Sequence, residues 1–130
     1  MKIQEHLRKL LLAEQAIASK LGNRLFWSKA PANTEMPYCF FTCSYKEPLR
    51  HTRGSENYAE SLFSFHCVGE TEDQVDALIE ALKNRLRNYK GFDNGSKVFE
   101  TVIGDDTEDD WSDATGLYRR ILEVEVSHTI

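Results

Sequence analysis

The residues of this sequence best equipped for chemistry are four histidines, three cysteines and a dense run of acids. Zinc binding needs three or four converging ligands, and general-base work needs an imidazole held against its target, so both tend to leave short-spaced motifs. His6, His51, His66 and His128 are scattered with no H-x-x-x-H or H-x-x-E-H spacing. Cys39, Cys43 and Cys67 are odd in number, form no C-x-x-C pair and lie in apolar, strand-like runs. In such runs a reduced cysteine acts as a small hydrophobe, which fits a reducing cytosol. No G-x-S-x-G elbow accompanies a serine, and no G-x-x-x-x-G-K-[ST] loop is present. The expectation is a protein that is not an enzyme, with no catalytic residues, no metal site and no cofactor.

The acids concentrate between positions 104 and 116, where Asp105, Asp106, Glu108, Asp109, Asp110 and Asp113 follow closely. Clustered carboxylates suit a hard cation, but the D-x-D-x-D-G order closed by a glutamate is missing. A solvated loop extended by its own repulsion is the leading reading, ahead of a charged contact to a partner subunit and of a divalent-ion site. Trp111 inside this run is either a lid folded back on the core or an anchor for a partner. Arg50, His51 and Arg53 make the 46–57 segment basic, so the two loops could be complements between neighbouring subunits. Arg50, Arg53, Asp105, Asp106, Asp109, Asp110 and Trp111 are therefore the candidate subunit contacts. Arg120 shares the face of Leu122 and Val124, which places it at the rim of the core or beside an acid there.

The elements that would position these residues follow from periodicity. Ile3, Leu7, Leu10, Leu11, Ile17, Ala18 and Leu21 recur at helical spacing and predict one helix over 2–21, closed by Gly22, with Glu14 the one charge in its stripe. An extended piece at 24–27 precedes a loop to Met36 and a strand over 38–45. The polar stretch 46–57 reads as a long loop, and 58–68 as a second strand with Phe63, Phe65 and Cys67 on one face. Thr71 and Gln74 form a capping box for a helix carrying Val75, Leu78, Ile79, Leu82, Leu86 and Tyr89 and ending at Gly91. Strands at 97–103 and 117–128 complete the set; in the last, Tyr118, Leu122, Val124 and Val126 point inward and Arg119, Glu123, Glu125 and Ser127 outward.

The 130 residues fit one domain, 1–130, with 41% hydrophobic residues to build a core. Amphipathic helices need a sheet to cover, and alternating strands can leave one face wet. The expected fold is an α+β two-layer sandwich: a mostly antiparallel four- or five-stranded sheet with two helices packed on one face. No apolar run approaches the ~20 residues of a membrane span. The polar start Met1-Lys2-Ile3-Gln4-Glu5-His6 does not read as a secretory signal, so the protein is expected to stay where it is made. The net charge of −5 argues against general binding to nucleic acid or anionic membrane.

The closing run Thr115-Gly116-Leu117-Tyr118-Arg119-Arg120-Ile121-Leu122-Glu123-Val124-Glu125-Val126-Ser127-His128 is similar to the end of the tail completion (DUF3168-type) proteins of long-tailed bacteriophages and prophages. The resemblance extends through Leu21-Gly22-Asn23-Arg24-Leu25-Phe26, Ala30-Pro31 and Met36-Pro37-Tyr38. It continues through Leu62-Phe63-Ser64-Phe65-His66-Cys67-Val68 and Glu72-Asp73-Gln74-Val75-Asp76-Ala77-Leu78. It implies a structural virion protein in the tail, assembled in the bacterial host cytoplasm, that caps the head-proximal end of the tail tube as a ring. The ring is six-fold in the related tail terminators. The implied partners are further copies of the chain, the tail tube protein and the head connector, with no membrane, no specific nucleic acid and no cofactor. The acidic loop is less typical of that family.

Two other readings stand beside this one. A small-ligand-binding or enzymatic α+β domain would need polar groups converging on the sheet, for which only His66, Arg120 and His128 are available. A nucleic-acid module would stack bases on Tyr38 and Phe40, against the overall negative charge.

Overall fold

The N-terminal apolar stripe is carried by two helices rather than one. The structure, a computed structural model, describes residues 2–50, 57–107 and 117–129. Helix α1 spans Ile3–Leu12 and α2 spans Gln15–Leu21, with Glu14 between them in an extended conformation. In an unbroken helix Glu14 would project from the apolar stripe. The break lets its carboxylate approach Arg85 at 3.6 Å, while Leu7, Leu11, Ile17 and Leu21 all remain buried. Gly22 ends α2 as expected, but at φ +62° and ψ −112°, a positive-φ conformation open to glycine that differs from the left-handed turn anticipated.

Six strands form one sheet: β1 (Leu25–Trp27), β2 (Tyr38–Arg50), β3 (Asn57–Gly69), β4 (Gly91–Asp93), β5 (Ser96–Thr107) and β6 (Tyr118–Thr129). Their order is β1-β2-β3-β6-β5-β4, antiparallel except for β1 beside β2. The sheet is thus larger than the four or five strands expected. The added strand is β4, paired to β5 across Asn94-Gly95 with φ values of +44° and +85°. An Asn-Gly pair is the strongest short hairpin signal, because both central residues of the turn need positive φ. Strand β2 also continues through Lys46–Arg50, where a loop was expected, and pairs with Asn57–Ser61. Pro48 fits there because β1 stops at Trp27, which leaves this part of β2 on the sheet edge.

Helix α3 spans Glu72–Leu86. Thr71 accepts a hydrogen bond from the Gln74 amide at 3.2 Å, while the Gln74 side chain accepts from the Glu70 amide at 3.0 Å. The helix ends at Leu86, short of Gly91; the chain turns at Asn88 (φ +56°) and Gly91 opens β4 instead. Among the described residues three helices, not two, therefore cover the sheet.

Register defines the two sheet faces. Cys39, Phe41, Phe63, Phe65, Cys67, Leu122, Val124, Val126 and Val98 lie on one face, buried against Leu7, Leu11, Ile17, Leu21, Leu78, Ile79, Leu82 and Leu86 of the helices. Phe41 and Phe65 stack with centroids 5.0 Å apart, and Trp27 caps Phe41 and Phe63 edge-on. Cys39 and Cys67 face each other within this core, Sγ to Sγ 3.7 Å, and burial pushes the Cys39 thiol well up. Cys43 departs from the small-hydrophobe reading: it sits past the end of β1 and is exposed.

Candidate functional site

Two buried histidines find their hydrogen-bond partners inside the fold. His6 is buried, with Nδ1 2.9 Å from the Ser96 hydroxyl and Nε2 2.8 Å from the Tyr89 hydroxyl. Thr101 donates to the Tyr89 carbonyl at 2.9 Å, which fixes the turn after α3. His128 is buried with Nε2 2.8 Å from Ser61 Oγ, and its Nδ1 hydrogen-bonds the Thr129 carbonyl at 2.7 Å. Burial holds both imidazoles below the usual histidine range; for His6 the nearby Asp93 opposes the shift and Lys9 adds to it. Each ring spans two partners as a neutral hydrogen-bonding strut, and neither opens to a cleft.

Arg120 pairs with Asp76 of α3, the second of the two placements that its position beside Leu122 allowed. His66 lies on the opposite sheet face, stacked on Phe40 with centroids 4.5 Å apart and planes within 4°. Burial, and then Arg119, lower its pKa. His66, Arg120 and His128 consequently occupy different faces and ends of the sheet and do not converge on a pocket. Among the described residues no group of three or more His, Cys, Asp or Glu could hold a metal ion. A shallow depression along α1 is lined by Glu5, Arg8, Lys9, Leu12 and Ala13. Arg8 is already engaged there, donating to the Leu25 and Asn23 carbonyls.

Of the candidate subunit contacts, Arg53, Asp109, Asp110 and Trp111 lie outside the described residues. For Arg50, Asp105 and Asp106 only the backbone is described. Arg50 ends β2 opposite Asn57, whereas Asp106 lies opposite Leu122 toward the other end of the sheet. Within one chain, then, the basic and acidic segments start from opposite ends of the sheet, and the fold does not bring these strand ends together.

Among the described residues no helix packs on the other face of the sheet. A row across four strands, Phe26–Phe40–His66–Ile121, gives it an apolar band of half-buried side chains. Further along, Glu123 stands opposite Ser64, and Glu125 lies between Leu62 and Val102. Glu60 and Glu100 both flank Ser127, so each is a diagonal neighbour of Glu125, about 7–8 Å away. Val102 is 48% exposed. The outward set of β6 was legible from alternation; its meeting with Glu60, Glu100, Leu62 and Val102 was not, because strand pairing is not written in any one strand.

Among the described residues the chain forms a two-layer α+β sandwich with its helices on one face of the sheet. Known proteins bear on that class. No family model matches the chain, and no curated protein does. Among solved structures 29 chains match. One of them is a chain of the virion of a native gene transfer agent particle, at 10% identity and a TM-score of 0.74, covering 98% of this chain and 95% of that one. At that identity the likeness is one of fold.

Proposed function

We propose that this chain is a structural part of a phage-type virion. In this reading it caps the head-proximal end of a tail tube and helps to join head and tail, as a ring of identical subunits, six by analogy with the tail terminators it resembles. The observation that carries the reading is the near end-to-end fold likeness to a gene transfer agent virion chain. The tail completion resemblance, read independently from the sequence, supports the same assignment. On this reading the partners are further copies, the tail tube protein and the head connector. The protein is assembled in the host cytoplasm and acts by contact, without catalysis or a cofactor. No helix among the described residues is long and apolar enough to cross a membrane.

The test measures the mass of the purified protein by light scattering over a wide concentration range, with electron microscopy of any large species. Sedimentation with assembled tail tubes follows. Ring-shaped particles, or binding confined to tube ends, would support the reading. A monomer that ignores tubes would overturn it.

A further inference from the structure

The bare sheet face and the β4 edge carry opposite charges around exposed apolar side chains. At the β4 edge Phe92 is 70% exposed, the highest among the large hydrophobic side chains described. Lys97 lies directly opposite it, and Arg87 and Lys90 precede it on the turn that leads out of α3; all three are exposed. Lys97 rests over the Phe99 ring, while Arg87 and Lys90 make no ion pair among the described residues. The result is an exposed aromatic with Lys97 across from it in the hairpin and Arg87 and Lys90 in the segment that leads into its strand, while the adjacent Asp93 is held by Lys9. The bare face presents the converse: Glu60, Glu100, Glu123 and Glu125 around Leu62 and Val102. Carboxylates at diagonal cross-strand positions, about 7–8 Å apart, repel one another weakly in the isolated chain, and an approaching group of cations would relieve that repulsion.

We infer that the Phe92 knob of one copy docks on the Glu125-centred sheet face of the next, so that successive sheets overlap like shingles. The inference rests on the self-assembly reading above and names the two surfaces it would use. Knob and face are different patches of one chain, so the contact is heterologous; it closes into a ring if the rotation per subunit divides a full turn and otherwise grows as a filament. An exposed aromatic with charged neighbours has the composition of an interface anchor, and the charge pairs beside it set register and encounter rate. A membrane surface does not suit the acidic face, and a nucleic acid would be repelled by it.

The experiment compares four proteins by sedimentation velocity at matched concentrations and moderate salt. These are the wild type, Glu123→Lys/Glu125→Lys, Arg87→Glu/Lys90→Glu, and the combination of all four changes. All of the altered side chains lie at or near the surface, and circular dichroism checks that each variant keeps its fold. Each one-sided reversal should weaken self-association about tenfold or more, and the combination should recover much of it, since charges restored across the contact attract again. Phe92→Ser, which alters no charge, should weaken association as well. Assembly unchanged by either reversal, or not recovered in the combination, would overturn the inference, as would a wild type that stays monomeric throughout. Tube binding separates the two readings. A strict monomer that still binds tube ends would sink the shingled contact and leave the tail assignment standing. Self-association through these patches in a protein that ignores tubes would do the reverse.

Discussion

Acid should destabilise this protein well before its carboxylates titrate, because His6 and His128 are folded in as neutral struts. Only 2% of His6 and 1% of His128 is accessible, and each ring lies within hydrogen-bond distance of two partners. Burial lowers both pKa values below the unfolded value of about 6.5. Near and below that value the unfolded chain binds more protons than the folded one. The stabilisation is therefore complete above about pH 6.5 and is lost as pH falls toward the folded pKa values. Protonation of the unfolded chain alone bounds the loss between pH 7.5 and 5.5 at about 1.4 kcal/mol per histidine, or about 2.7 kcal/mol together. Against a total stability of roughly 5–15 kcal/mol this is easily measured. Urea unfolding at half-unit pH steps supplies the assay. His6→Gln/His128→Gln, which keeps hydrogen-bonding groups at both sites without a titrating ring, should reduce the dependence between pH 7.5 and 5.5 to the share of His66, whose pKa burial also lowers. A wild-type profile already flat in that window, or a slope undiminished in the double variant, would refute the reasoning.

Phe63→Ala should cost about 3–5 kcal/mol in urea unfolding, because the ring is 1% exposed and wedged between Trp27 and Phe41. Gly95→Ala meets no atom within 4 Å, so its loss of about 1 kcal/mol should come from the backbone at φ +85° alone and show as a modest drop in melting temperature. At Gly91 an added Cβ would fall 2.1 Å from the Tyr89 hydroxyl. Gly91→Ala should therefore displace Tyr89 from His6, cost about 1–3 kcal/mol and shift the acid sensitivity of that histidine.

Much of this molecule was determined locally. The α+β class, the apolar stripes of the helices, the Thr71 cap, the helix end at Gly22 and the inward set Leu122, Val124 and Val126 all follow from periods of 3.6 and 2 or from single-residue chemistry. The position of Arg120 was legible in the same way, since a charge on the core face of a strand lies at the rim of the core or beside an acid, and Asp76 supplies the acid. The Asn94-Gly95 hairpin was equally legible and was missed because its strands are only three residues long. What tertiary structure alone decided was pairing. The break at Glu14 sets its carboxylate 3.6 Å from Arg85, far along the chain, and β2 extends through Pro48 beyond the end of β1. The burial of His6 depends on Ser96 and Tyr89 arriving from other elements. The charged sheet face has the same origin. Glu60, Glu100 and Glu125 are ordinary outward residues of three strands, and they become one surface only when β3, β6 and β5 lie side by side in a register that a single strand does not encode.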